Sequence, residues 1–149
     1  MRYSGSYALL LSLHLIGVLL LVGPLAWVTA IAGRLARQGD VAGLTRALRL
    51  TRVFSMASLV VVLLGLAMLD RDPTRIPAGA TWVAVSFALW LVAVGLNLAV
   101  VAPALRAALA EAAGGRPADR FAAKLGAFGG LSALCWLAIV VLMVYKPGQ

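Results

Sequence analysis

The chain has 149 residues, of which 63% are hydrophobic and 12% are charged, and its mean hydropathy is +1.01. Soluble domains carry about 25% charged residues, so this composition excludes a soluble globular enzyme, a disordered tail and a coiled coil. The formal charge of +8 indicates membrane topology rather than nucleic-acid binding, and the single cysteine, Cys135, excludes an intramolecular disulfide.

Four apolar stretches are long enough to cross a bilayer, which takes about 20 residues of helix. They predict an all-α integral membrane protein, an antiparallel four-helix bundle in a single domain, with helices at about 7–33, 53–69, 81–105 and 125–145. The first stretch exceeds the ~7–15 apolar residues of a signal peptide, so we expect it to be retained and to be kinked at Pro24. We expect the short second helix to extend into the basic segment before it.

The basic residues predict the orientation of the bundle. Nine of the thirteen lie in two loops: Arg34, Arg37, Arg46, Arg49, Arg52, Arg106, Arg116, Arg120 and Lys124. The positive-inside rule places these loops in the cytoplasm and both termini outside, which we expect to be across a bacterial inner membrane. The outer boundary then carries the residues of an expected aromatic belt: Tyr3, Tyr7, Trp82 and Tyr145.

The chain reads as two similar helix–loop–helix units, with Pro24 and Pro103 at matching places before the basic loops. This pattern predicts a parallel internal duplication. Small residues lie along the first helix and the fourth helix, and they predict close helix approach. They are Gly17, Gly23, Ala26, Ala30, Gly126, Gly129, Gly130 and Ala133.

His14 is the only histidine, and it lies inside the first predicted span. Gly17 follows one turn later on the same face, which leaves room for a flat ligand such as haem, whose iron often takes an imidazole ligand. His14 and Gly17 are therefore the candidate cofactor-binding residues, with His14 as the candidate ligand of haem iron. The structural alternative is a histidine that points into the bundle and bonds to Ser86 or to water. In either case we expect His14 to lie near the third or fourth helix.

Other polar or aromatic side chains within the spans are few. Asn97 is predicted to form a hydrogen bond between helices. Trp90 and Trp136 are predicted to pack in the core or to line a prosthetic group, and Cys135 to behave as a small buried hydrophobe. No charged side chain lies deep within a span, which argues against an ion-coupled transporter.

Short motifs resemble one group of four-helix membrane proteins. Segments 13–18 (LHLIGV), 50–53 (LTRV) and 144–147 (VYKP), together with Trp82, are similar to the HemJ-type protoporphyrinogen oxidases and the copper-resistance-D-like proteins. The resemblance implies a four-helix membrane fold, and it implies haem b at His14, the position of the family's first-helix histidine.

The sequence departs from the HemJ-type enzymes at three polar positions. The residues after Trp82 are 83–86 (VAVS), where those enzymes have a histidine and a lysine. Gly33 and Arg34 stand where they have a second histidine. Ligation of haem by two histidines of one chain is therefore excluded, and we expect no protoporphyrinogen oxidation by this chain alone.

Three functions compete on these observations. The favoured one is a non-catalytic accessory or structural subunit that packs against other membrane proteins or against itself. The alternative is a HemJ-like haem b redox protein that uses His14. The third is a copper-handling or small-solute permease, for which Met68 and Met143 would lie near His14.

Overall fold

The computed structural model describes residues 5–69, 71, 77 and 80–147. Four helices in this part of the chain are long and apolar enough to cross a membrane: Gly5–Gln38, Val41–Leu69, Thr81–Ala113 and Asp119–Tyr145. The described residues form no strand, so the predicted all-α four-helix bundle is confirmed. Most of the loop at 70–80, together with Tyr3, lies outside the described residues.

The helices reach further toward the basic loops than their apolar stretches do. The first ends at Gln38 rather than near 33, and the second begins at Val41 rather than near 53. Arginine and alanine are good helix formers, so the backbone continues its hydrogen bonding after the apolar residues end. The predicted extension of the second helix is therefore confirmed, and the first basic loop contracts to residues 39–40.

That contracted loop is a turn made by one glycine and one aspartate. Gly39 has φ 61°, a left-handed conformation that a glycine adopts without a steric penalty, and it ends the first helix. Asp40 then starts the second helix, since its carboxylate accepts the backbone N–H of Gly43 at 2.9 Å. The two helices are thus joined as a tight hairpin.

Two π-helical segments interrupt the first and third helices at matching places. Val18–Val22 and Asn97–Val101 each end two residues before a proline, Pro24 and Pro103. A proline ring clashes with the carbonyl four residues earlier, which for Pro24 belongs to Leu20, inside the π segment. The kink expected at Pro24 stays a prediction, and the matched pair of π-helical segments supports the predicted duplication.

The first and fourth helices touch through their backbones near the basic loops. A Cβ atom on Gly33 would lie 2.6 Å from the carbonyl oxygen of Ala122, and one on Gly129 would clash with the backbone of Thr29. Gly129 therefore has the close-packing role predicted for it. At three other glycines of the predicted small-residue set, an added Cβ atom would meet no neighbouring atom within 4 Å in the described part of the chain. They are Gly23, Gly126 and Gly130.

Around these contacts lies a core made mainly of alanine, leucine and valine, which we call the basic-loop core. Its buried members are Val28, Ala32, Ala36, Leu44, Ala47, Val101, Ala104, Leu105, Ala108, Ala118, Ala122 and Leu125. Small side chains bring the helix axes close together, which maximises van der Waals contact where lipid supplies no hydrophobic drive for association. A second buried cluster, of Val22, Leu25, Ala93, Cys135, Trp136 and Ile139, joins the first, third and fourth helices farther from the basic loops.

Candidate functional site

A cavity of about 280 Å³ lies at the other end of the bundle, and we call it the histidine cavity. All four helices contribute to its wall, among them His14 from the first, Gly65 from the second, Ser86 from the third and Trp136 from the fourth. Most of the remaining wall is aliphatic or aromatic. Such a mainly apolar pocket with a few polar groups is typical of a small-molecule site.

His14 is buried, with 6% of its surface exposed, and it makes a hydrogen bond to the second helix. Its Nδ1 atom lies 2.8 Å from the carbonyl oxygen of Val61. Because a carbonyl can only accept, Nδ1 carries the proton and donates it, and in the neutral ring Nε2 keeps a lone pair. The bond therefore orients the imidazole and leaves Nε2 as an acceptor or a metal ligand. The inward orientation of His14 matches the prediction, whereas its partner lies on the second helix rather than on the third or fourth.

Two glycines let the first and second helices come close enough for this bond. A Cβ atom on Gly65 would lie 3.0 Å from Cε1 of His14, and one on Gly17 would lie 2.9 Å from Cγ2 of Val61. Gly17 thus packs against the second helix and is not among the residues that line the cavity. The glycine beside the imidazole is Gly65, which sequence reasoning missed because one glycine in an apolar run carries no signal of its neighbour.

Three further polar groups of the cavity wall have no hydrogen-bond partner among the described residues. They are the indole N–H groups of Trp82 and Trp136 and the hydroxyl of Ser86. Their residues are only 8%, 4% and 6% exposed, respectively. Buried polar groups in proteins are bonded in the great majority of cases. The described residues include three further exceptions, Oγ1 of Thr51, Oδ1 of Asn97 and Oγ of Ser132, whose residues do not line the cavity.

Two neighbouring polar residues of the third helix, in contrast, donate hydrogen bonds to the second helix. Trp90 donates its indole N–H to Oγ of Ser58 at 2.9 Å, and Ser58 donates its hydroxyl to the carbonyl of Ser55 at 2.6 Å. The side-chain amide of Asn97 donates to Oγ of Ser55 at 3.2 Å. The predicted role of Asn97 as a bond between helices is therefore confirmed, and Trp90 lines the cavity with its N–H already engaged.

Two residues of the expected aromatic belt turn inward instead. Tyr7 and Trp82 are both buried and line the histidine cavity, whereas Tyr145 is exposed as a belt residue would be. The expectation of a belt is therefore wrong for Tyr7 and Trp82. Tyr7 lies two turns before His14 and Trp82 lies one turn before Ser86, each pair on one helical face. The two aromatic side chains therefore turn inward together with the polar ones.

Sulfur-containing side chains also lie at this end. Met68 and Met143 both line the cavity with His14, as the copper hypothesis required, and Cys135 is buried as predicted. Within the described residues, however, no group of three or more His, Cys, Asp or Glu could hold a metal ion. Any metal at His14 would therefore have to take thioether ligands or ligands from outside the protein.

The opposite end of the bundle carries the basic residues. Arg46, Arg49 and Arg52 are exposed on one face of the second helix, and Glu111 forms ion pairs with Arg116 and Arg120. Exposed ion pairs of this kind contribute little stability, about 0–1 kcal/mol each. Charge at this end therefore bears on orientation in the membrane rather than on holding the bundle together.

The helices, the apolar surface and the buried cavity define a four-helix integral membrane protein that sits in a lipid bilayer. Over residues 8–147 the chain matches the family described as "predicted integral membrane protein (DUF2269)". Because the match covers nearly the whole chain, the protein belongs to this family. The match supports the membrane assignment and does not extend to the HemJ-type or copper-resistance-D-like groups. No curated protein and no solved structure matches the chain.

Proposed function

We propose that this protein lies in the bacterial inner membrane and binds a lipid-soluble ligand in its histidine cavity. His14 is the central contact of that ligand. The observation that carries this proposal is the set of unpartnered polar groups, Trp82, Ser86 and Trp136, that surround one cavity with His14. A buried donor without a partner costs about 1–3 kcal/mol. A ligand that accepts hydrogen bonds from these groups removes that cost.

The lining supports binding rather than acid–base catalysis. Its described residues include no aspartate, glutamate, arginine or cysteine, and the titratable side chains are Tyr7, His14 and Lys146. General acid–base chemistry needs at least one group placed to take or give a proton at the reacting atom. Within His14, the Nδ1 proton is held in the bond to Val61, so Nε2 alone is left for both binding and proton transfer.

The test is recovery of a bound compound from purified protein. Wild type and Trp136→Phe are purified in mild detergent, extracted with organic solvent and analysed by mass spectrometry. Wild type is expected to yield one lipid-soluble compound in near-stoichiometric amount, and Trp136→Phe to yield several-fold less. Trp27→Phe is the matched control, because Trp27 is 69% exposed and does not line the cavity. Equal yields from wild type and Trp136→Phe contradict the proposal.

Haem b is the second candidate ligand, and the bond between Nδ1 of His14 and the Val61 carbonyl favours it. When one ring nitrogen of a histidine binds a metal, a hydrogen bond from the other ring nitrogen orients the imidazole and raises its basicity. His14 would hold the iron of a bound haem, and the thioether of Met68 or Met143 would be a further ligand from the same cavity wall. Bound haem would supply one-electron transfer. A Soret band in the purified protein that is lost in His14→Ala supports this candidate, and its absence excludes it.

An accessory-subunit role, in which the protein packs against other membrane proteins or itself, has its own support on the fourth helix. Gly126 is exposed, and a Cβ atom on it or on Gly130 would meet no atom within 4 Å in the described chain. Bare small residues of this kind let another transmembrane helix approach closely. Chemical cross-linking in membranes tests this role, since Gly126→Leu should remove a cross-linked partner that wild type retains.

A further inference from the structure

We infer that the ligand of the histidine cavity is an isoprenoid quinol, a single aromatic ring with oxygen functions on opposite sides and a hydrocarbon tail. This inference rests on the proposed function and names the ligand class for that site. It is carried by three features of the cavity: the hydrogen-bonding capacity left over in its wall, its aromatic surface and its size.

The polar groups of the wall specify what the ligand must offer. An indole N–H can only donate, so Trp82 and Trp136 each require an acceptor atom on the ligand. Nε2 of neutral His14 can only accept, so it requires a donor. Ser86 can do either. A quinol hydroxyl donates one hydrogen bond and accepts others, so its two hydroxyls supply both kinds of partner.

The remaining wall suits a flat ring and an apolar tail. Phe87 and Trp90 lie with ring centroids 5.5 Å apart, and both line the cavity beside Trp136. Aromatic side chains stack on a planar ring more favourably than on a flexible chain. Aliphatic side chains such as Val18 and Ile139 make up much of the rest, and they match a hydrocarbon tail.

The size of the cavity favours one ring over a macrocycle. Its volume of about 280 Å³ lies just below the roughly 300–1,000 Å³ of pockets that bind drug-sized ligands. A single substituted ring fits such a space with its tail in the surrounding lipid, whereas a porphyrin requires much more room. A quinol therefore fits the cavity volume and also accepts from the indole N–H groups, whereas haem exceeds the volume.

An acyl lipid is the main competing occupant, and the charges of the wall argue against it. Its headgroup or carboxylate would call for a cation in the cavity, and Lys146 is the cation in the described lining. The Lys146 ammonium already lies 5.9 Å from the centre of the Trp82 ring, a cation–π contact. The ester carbonyls of an acyl lipid can accept from the two indole N–H groups, but they offer no donor to Nε2 of His14, which a quinol hydroxyl does.

Binding is measured with the full chain in nanodiscs of quinone-free lipid. A quinol and its quinone, each with one isoprene unit, are partitioned at equilibrium between protein-loaded and empty nanodiscs and quantified by mass spectrometry. Saturable binding of the quinol is expected, weakened about tenfold by Trp136→Phe, which keeps the ring and removes the N–H. Trp27→Phe should bind as wild type does.

The difference in affinity between quinol and quinone tests the role of His14 itself. A quinone has no hydroxyl to donate to Nε2, so wild type should bind the quinol about tenfold more tightly than the quinone. His14→Gln should reduce this preference to less than threefold. If His14→Gln does not fold, Ser86→Ala and Trp136→Phe still test the inference, because each should weaken quinol binding several-fold.

Three outcomes overturn the inference, and they separate it from the proposed function. Equal binding of a naphthalene with the same tail and no oxygens shows a general apolar site, which leaves the proposed function standing and removes the quinol. Recovery of haem or an acyl lipid that blocks quinol binding likewise rules out the quinol and leaves the proposed function standing. If no compound binds saturably and none is recovered from purified protein, both the quinol and the proposed function fail.

Discussion

The two ends of the bundle bury different kinds of surface. In the basic-loop core, Gly33 and Gly129 bring helix backbones into contact, and nearby Asn97 is bonded to the second helix. At the cavity end, large side chains such as Trp82 and Trp136 are buried around an open space, with polar atoms that lack partners among the described residues. One end is therefore closed by small residues, whereas the other leaves space between large side chains.

The largest effect is expected where the first and fourth helices touch. Gly129→Leu places a side chain into the backbone of Thr29, which cannot move aside as a flexible side chain can. Overpacking a core costs about 1–3 kcal/mol and more against backbone, so we expect loss of monodisperse protein in detergent. Gly130→Leu, one residue on and facing open space, should remain folded. Normal behaviour of both variants would mean that this helix contact does not hold the bundle together.

The orientation of the bundle in the membrane is tested by thiol labelling, for which we expect an all-or-none result. With Cys135 replaced by alanine, single cysteines are introduced as Ala42→Cys beside the first basic loop and as Tyr145→Cys at the far end of the fourth helix. Both positions are exposed. We expect an impermeant thiol reagent to label only Tyr145→Cys in intact cells, because the basic loops are predicted to be cytoplasmic. Labelling of Ala42→Cys from outside would invert the orientation.

A smaller effect is expected at the contact between Gly65 and His14. Gly65→Ala places a methyl group 3.0 Å from Cε1 of His14 and should displace the imidazole from its bond to Val61. We expect the bundle to remain folded and ligand recovery to fall about tenfold. Gly95→Ala, in open space on the third helix, is the matched control. Unchanged ligand recovery from Gly65→Ala would remove His14 from the site.

The bond between Asn97 and Ser55 should make a modest contribution. Asn97→Ala removes it, and hydrogen bonds between transmembrane helices contribute about 0.6 kcal/mol on average and up to ~2 kcal/mol. Since Asn97 is fully buried, we expect a loss near 1 kcal/mol in a denaturant titration, with ligand recovery unchanged. Ser12→Ala, which removes an exposed hydroxyl bonded within its own helix, should have no measurable effect. A loss of ligand in Asn97→Ala would show that the two ends are coupled.

The features predicted correctly from sequence are those that depend on local chemistry. An apolar run of about 20 residues predicts a spanning helix wherever it occurs, and a polar side chain within such a run must find a partner. That reasoning located the four helices and the inward orientation of His14 and Asn97. It also showed that Met68 and Met143 could reach the same end as His14.

The features missed depend on how the helices rotate and on the main chain. The partner of His14 is the carbonyl of Val61, and every residue has a carbonyl, so no side chain indicates it. Trp82 carries a signal that the expected aromatic belt overlooked, because Ser86 follows it by one turn and Asn97 lies on the same face of the third helix. The inward orientation predicted for Asn97 therefore implies an inward Trp82. The unpartnered donors became visible only when four helices placed them around one space.

The smallest expected effect is no effect at all. In a strain that lacks its own protoporphyrinogen oxidase, we expect this protein alone not to restore haem synthesis. Oxidation requires a group that removes protons and a bound electron acceptor, and Nε2 of His14 cannot serve as iron ligand and as proton acceptor at once. Nδ1 offers no second route, since its proton is held by Val61. Expression is verified by Western blot of the membrane fraction. Restored growth that His14→Ala abolishes would place His14 in an active site, and the cavity would then carry out a reaction rather than hold a ligand.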